Sequence, residues 1–268
     1  MKEEKAKSNT QANAFTSFAL VGSGRLARHL LFYLHCLNLP VHAWSRDGNP
    51  CFNSSADLDA DARLQKVLGQ SSHVLLAVKD SAIAELSRQC RPDQTVVHFS
   101  GALNIPTAIA AHPLMTFGTE LEDVEWYRKI PFVIDEGHEF RDLLPGLPNP
   151  SYVLSPEQRP FYHALCSLAG NSTFLLWKQI GEEFESILHL PRSLLSPFLH
   201  QVVSNSSRFS MADFTGPVAR GDWEVVKAHL QSLSQRPDLL EAYRTYLRLV
   251  ESTGTRIPEP EVWTGVPK

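Results

Sequence analysis

No run of apolar residues in this chain approaches the roughly 18 needed to cross a bilayer, so no membrane is expected as a partner. Positive charge is not in excess either. Lys and Arg number 25 against 29 Asp and Glu, for a net charge of -4, which gives nucleic acid no global electrostatic attraction. Cysteine is scarce. Cys36, Cys51, Cys90 and Cys166 form no CxxC and no metal spacing, and read as reduced, mostly buried thiols of a cytoplasmic protein. The eleven histidines include no HxH, HxxxH or HExxH pair, so no metal site is expected. Internal repeats and low-complexity tracts are also missing. Met1–Thr16 mixes Lys and Glu without an apolar core, so a frayed tail is expected there rather than a signal peptide.

What remains is an ordinary globular composition, 43% hydrophobic and 20% charged over 268 residues, enough for one large domain or two smaller ones. The most informative stretch is Phe18–Ala27, Phe-Ala-Leu-Val-Gly-Ser-Gly-Arg-Leu-Ala. Phe18–Val21 is an apolar run of strand length. Gly22, Ser23, Gly24, Arg25, Leu26 and Ala27 then fit G-x-G-x-x-G/A, and a helical stretch over 28–39 follows. Strand, glycine turn and helix in that order form a dinucleotide-binding fingerprint. The first Gly permits the tight turn, the second lets a pyrophosphate reach the backbone, and a small third residue lets helix pack on strand. The helix N-terminus offers unpaired N–H groups to the phosphates. A glycine turn that binds nothing would show the same letters.

The following segments repeat the strand–helix alternation. Val41–Trp44 is a second strand, ending in Ser45 and Arg46 where an NAD-specific site would place a carboxylate; Asp47 comes too late. An Arg here suits the 2′-phosphate of NADP, so NADP(H) is favoured over NAD, unless Arg46 is only a solvated loop charge. A loop is expected over 48–58 and a helix over 60–69. Ser72–Val78 is a buried strand ending at Val78 and Lys79, with Asp80 or Ser81 capping a helix over 82–89. Thr95–Phe99 is the next strand, closed by Ser100-Gly101. Gly24, Ser45, Lys79 and Ser100 all fall at carboxyl ends of strands, which border the ligand crevice of an open α/β sheet. A short helix over 106–110 is expected to lead into Ala111–Phe117. His112 in that stretch is either a proton donor near neutrality or a histidine that ties down the turn at Pro113. A strand over 131–135 follows, and the Pro-rich loop 145–150 marks a boundary.

Beyond Pro156 the alternation stops. A helix is expected from there through Ala169 and onward towards Glu185. His163, Ser167 and Asn171 recur at i, i+4 and i+8 and share one stripe, facing either a cleft or solvent. Further helices are expected over 191–209, over 223–233 with Asp222 as N-cap, and over 239–252. The segment 257–268 has three prolines and reads as an extended arm.

Taken together, the stretches Val21–Ala27, Leu76–Ile83, Val97–Leu103, Ala111–Phe117, Tyr162-His163-Ala164 with Asn171, and Thr215–Asp222 with His229 carry a likeness. The chain resembles the Rossmann-like oxidoreductases with an appended C-terminal domain of unknown function. These are relatives of pyrroline-5-carboxylate reductase and of the 6-phosphogluconate and 3-hydroxyacid dehydrogenases, and some resemble alternative ketopantoate reductases. The resemblance implies an α/β fold, a doubly wound and mostly parallel Rossmann sheet, followed by an all-helical domain that often pairs in a dimer. The expected division is a tail over 1–16, a nucleotide domain over 17–152, a helical substrate and dimerisation domain over 153–256 and a tail over 257–268.

The expected activity is an NADP(H)-dependent reductase of a small carbonyl or imine such as a 2-oxo acid. Gly22, Ser23, Gly24, Arg25, Leu26, Ser45, Arg46, Val78, Lys79 and Ser100 would hold the cofactor. His112 or His163 would supply a proton and Asn171 would orient the carbonyl. Ser167, Thr215 and Arg220 would meet the substrate, Arg220 through a carboxylate. One departure stands out. The better-known relatives carry a Lys four residues before this Asn, and here that position is Ser167. An NADP-binding sensor or scaffold without turnover is therefore the alternative expectation.

Overall fold

The computed structural model describes residues 16–46, 59–208 and 210–257. Asp47, Cys51, the expected loop over 48–58 and most of both expected tails lie outside them. Seven strands form one sheet: β1 (Phe18–Val21), β2 (Val41–Trp44), β3 (His73–Leu76), β4 (Thr95–His98), β5 (Ile109–Pro113), β6 (Phe132–Asp135) and β7 (Ser151–Leu154). Their order is β2-β1-β3-β4-β5-β6-β7. All pairings are parallel except β5 with β6. The chain leaves β1 for β2 and returns to β3 on the other side of β1. That reversal puts the switch-point crevice at the carboxyl end of β1.

The apolar run of β1 follows from burial on both sheet faces. Phe18 and Leu20 join one core with Leu30 and Leu34 of α1 (Arg25–Cys36). Ala19 and Val21 join the other with Leu64 and Leu68 of α2 (Ala60–Gly69) and Ile83 of α3 (Asp80–Ser87). A strand covered on both sides has no polar face to alternate with.

Three expectations change. The segment expected as a helix over 106–110 is instead the entry to β5. Hydrogen-bonded neighbours on both sides outweigh the helical preference of Ala110 and Ala111. The edge strand β7, with Tyr152 63% and Val153 61% exposed, gives no burial signal in the sequence. Of the cysteines, expected to be mostly buried, Cys36, Cys90 and Cys166 are free, with Cys36 exposed and Cys90 and Cys166 only half-buried. Two short helices, α4 (Val124–Arg128) and α5 (Phe140–Leu143), punctuate the connections around β6.

A 3-10 turn at Pro156–Gln158 opens α6 (Arg159–Ser167), a π turn spans Leu168–Ser172, and α7 (Thr173–Ser186) continues. The chain divides into two compact units between Lys178 and Gln179, so α6 and the π turn belong with the sheet. In the second unit come α8 (Leu195–Ser206), α9 (Pro217–Arg220), α10 (Trp223–Ser232) and α11 (Pro237–Ser252). Val218, Val226, Leu230, Leu240, Leu247 and Val250 form its core, while α8 has no buried residue. Arg236 Nε donates to Glu183 at 3.0 Å. Asp222 precedes α10 but makes no side-chain cap; its carboxylate takes Arg220 instead, 3.0 Å from Nε.

Candidate functional site

The glycine turn has the geometry the fingerprint requires. Gly22 has φ +130°, and a Cβ there would sit 2.1 Å from the Ala77 carbonyl oxygen. Only glycine fits a left-handed backbone pressed against β3's exit. Gly24 is the N-cap of α1, and a Cβ on it would meet nothing within 4 Å, so its glycine leaves an approach to the backbone open. No carboxylate stands in the first turn of α1. Ser23, Gly24 and Arg25 are exposed, and Leu26 is half-buried. Free helix N–H groups, an exposed guanidinium and no opposing charge suit a pyrophosphate.

The other strand ends fall where the sequence put them. Ser45 is buried and Arg46 exposed after β2; Val78 is half-buried and Lys79 exposed after β3. The expected cap of α3 by Asp80 or Ser81 is not formed: Lys79 is the N-cap and no side chain bonds there. Asp80 instead accepts from Ser100 Oγ at 2.8 Å, and Ser100 Oγ accepts from the Leu103 N–H at 3.2 Å. Ser100 thereby fixes the loop after β4.

That loop leads to the second half of the site. A cavity of about 490 Å³ is lined by His112, His163, Ser167 and Asn171, together with Met115 and Cys166 among others. The stripe read from helical spacing thus faces a cleft, and His112 faces the same cleft from β5. In a regular helix eight residues overshoot two turns of 3.6. The wider π turn over Leu168–Ser172 slows that rotation and keeps Asn171 in line, as π segments do at functional sites. Gly101 closes one side. A Cβ there would lie 2.5 Å from His163 Cδ2 and 3.1 Å from His112 Nε2.

The two rings cross edge-on, with centroids 5.7 Å apart. His112 Nδ1 bonds the Tyr162 hydroxyl at 2.8 Å. Burial pushes the His112 imidazole down to about 4, helped by His163 and then by the Arg159 guanidinium. His112 is therefore neutral at pH 7, which corrects the expectation of an acid titrating near neutrality. Burial and the neighbouring Cys166 thiol push the Tyr162 phenol up, so it keeps its proton. The hydroxyl can donate to Nδ1 or accept from it; where it donates, the imidazole carries its hydrogen on Nε2. His112 is then a neutral hydrogen-bond donor, a form suited to polarising a carbonyl.

Two proposed substrate residues belong to the second, helical unit. Thr215 lines a cavity of about 800 Å³ in the helical unit with Phe198, Met211 and Tyr246. Arg220 is exposed and paired with Asp222. Neither is among the residues lining the His112 cavity. Tyr162 and Gly101 were visible only as parts of short motifs, and nothing in the sequence marked Arg159. Among the described residues no group of three His, Cys, Asp or Glu could hold a metal, and no helix is long and apolar enough to cross a membrane.

Residues 138–249 match the family model described as "Domain of unknown function (DUF2520)". No curated protein matches the chain. Among solved structures, the chain is similar to a candidate NADP oxidoreductase from Bacteroides fragilis, with 22% identity, a TM-score of 0.67 and coverage of 89% of this chain and 98% of that one. Protein TM1727 from Thermotoga maritima is 20% identical with a TM-score of 0.64, covering 88% and 97%. A reductive aminase from Aspergillus terreus, in complex with NADPH and ethyl levulinate, is 10% identical with a TM-score of 0.61, covering 95% and 100%. At these identities the likeness is one of fold: a Rossmann-like sheet followed by helices.

Proposed function

We propose that the chain is an NADP(H)-dependent reductase of a small carbonyl or imine. The observation that carries this reading is the cavity in which His112 and His163 meet Ser167 and Asn171 beside Gly101, on the same sheet whose other strand ends surround an open glycine turn. A nicotinamide dinucleotide, when bound, supplies the hydride. The turn from Gly22 to Leu26 would hold its pyrophosphate, Ser45 and Arg46 its 2′-phosphate end, and Val78, Lys79 and Ser100 the remaining strand exits. His112 Nε2–H would donate to the substrate oxygen or nitrogen, His163 would deliver the proton, and Asn171 and Ser167 would orient the group. Among the described residues, the cavity lining contains no Lys, Arg, Asp or Glu. A 2-oxo acid would therefore need its carboxylate met by a residue beyond that lining.

Fluorescence titration with NADPH and NADH, followed by a panel of ketones, 2-oxo acids and imines, tests the reading. Tighter binding of NADPH and turnover of at least one carbonyl are expected. Tighter NADH binding would sink the Arg46 argument. Binding without turnover across the panel would favour a sensor, the reading that Ser167 in place of Lys supports. We also propose a homodimer through the helical unit, supported by α8, which leaves Phe198 62% and Val203 55% exposed.

A further inference from the structure

Arg159 has a relative exposure of 0%, unusual for a guanidinium. It lies at the start of α6, on the face shared by Tyr162, His163 and Cys166 at i, i+3, i+4 and i+7. Its Nε bonds the Asp135 carboxylate. Its Nη2 reaches the carbonyl oxygens of Ala110 on β5 and Val133 on β6, each at 3.4 Å. The second carboxylate oxygen of Asp135 accepts from the Ala110 N–H at 2.9 Å. One buried ion pair thus ties together β6, β5 two residues before His112, and the helix that carries Tyr162 and His163.

The sheet register explains why this fits. His98 pairs with Ala110, and Asp135 lies one step beyond the Ala111–Ile134 pair on β6. His98, Ala110 and Asp135 therefore form one row, with side chains on one face. The single methyl of Ala110 leaves room above it for a guanidinium between the two larger neighbours.

We propose that Arg159 is a positioning residue for the His112 site: clamped to Asp135 and to the β5–β6 backbone, it sets α6 so that Tyr162 grips His112 Nδ1 and His163 stands beside its ring. A buried pair of this kind contributes little net stability, and its better-attested role is to select one arrangement over others. Lysine could not do the same, since a point charge cannot bond a carboxylate and two carbonyl oxygens from one planar group. The charge also acts at a distance. It faces His112 together with His163, Tyr162 and Cys166 on α6, Asp135 on β6 and His98 on β4, and it disfavours a second cation there. The consequence for turnover rests on the reductase reading; the arrangement itself does not.

The test is a pH titration of the histidine side chains by NMR in the full chain, comparing the parent with Arg159→Met, Arg159→Lys and the double variant Arg159→Met/Asp135→Asn. The double variant removes the orphaned carboxylate that could unfold the single one. In the parent, His112 should hold one tautomer, protonated on Nε2, and stay neutral down to about pH 5. In Arg159→Met and in the double variant the fixed tautomer should be lost, and in Arg159→Met, where a positive charge alone is removed, the midpoint should rise. Arg159→Lys should also lose the fixed tautomer. A folded variant without Arg159 that keeps the parent tautomer and midpoint overturns the proposal, whatever its melting temperature. If a substrate is found, Arg159→Lys should lower kcat about tenfold or more with NADPH affinity unchanged. Absence of any reductase activity would remove the proposed function and leave the NMR result to decide this one.

Discussion

The hydroxyl of Tyr162 and Nδ1 of His112 lie 2.8 Å apart, joining the N-terminal half of α6 to the penultimate residue of β5. This bond decides which nitrogen of His112 is free to act. Tyr162→Phe removes it with little change in volume. A net hydrogen bond of this kind is worth about 0.5–1.5 kcal/mol, so kcat should fall up to about tenfold with the NADPH dissociation constant unchanged. Steady-state kinetics beside a fluorescence titration separate the two; an equal loss in both would point to general disruption of the site.

Any side chain at Gly101 would meet both histidine rings, so its substitution should act on chemistry rather than on cofactor. In Gly101→Ala the new methyl would lie 2.5 Å from His163 Cδ2, so the rings must move apart. Turnover should fall by about 100-fold, the scale expected of an ångström-level misplacement, while dinucleotide binding persists. Retained turnover would mean that the rings need not hold this spacing.

Gly22 makes the opposite prediction. Its φ of +130° and the Ala77 oxygen 2.1 Å from a built Cβ leave no room for a side chain. Gly22→Ala should cost about 1–3 kcal/mol from backbone strain alone, with the clash in addition. Thermal melting should show a drop of several degrees and NADPH binding should be lost. Gly24→Ala, with nothing within 4 Å of its Cβ, should melt normally and lose affinity only.

Two histidines make stability depend on mild acid. His112 and His98 are both held down at about 4, largely by burial, against an ordinary value of 6.5. Neither ring nitrogen of His98 has a hydrogen-bond partner among the described residues. Below pH 6.5 the unfolded chain takes up protons at both positions and the folded chain does not. Their contribution is thus complete above 6.5 and is lost as pH falls towards 4. Denaturant midpoints measured from pH 8 to 4.5 should fall through this window. His98→Leu should flatten the slope; an unchanged slope would mean His98 is charged in the fold.

The exposed face of α8 predicts association. Light scattering should give twice the chain mass at micromolar concentration, and Phe198→Asp with Val203→Asp should return it to one. A monomeric parent would count against the dimer.

Much of the nucleotide half was legible because its signals are local. A strand buried on both faces reads as a continuous apolar run, and a left-handed turn against a neighbouring strand needs glycine, so Phe18–Gly24 could be read without knowing where the chain goes next. The stripe of His163, Ser167 and Asn171 was legible for the same reason, since helical spacing is a local property. The sequence did not show that His112 lies within a strand, because two alanines before it favour helix and only the hydrogen bonds from β4 and β6 outweigh them. It did not show β7, whose side chains are largely exposed, or the true partners of Asp80 and Asp222.

On its own, then, the amino-acid order determined that a strand, a glycine turn and a helix come first, that alternating strands and helices follow, and that helices end the chain. Tertiary structure decided what the histidines are. Burial beneath α6, the Tyr162 hydroxyl and the Arg159–Asp135 pair, all distant in sequence from His112, turn an imidazole that titrates near neutrality in water into a neutral ring of fixed orientation. Solvation and distant charge set a proton's affinity, and neither exists until the chain has folded.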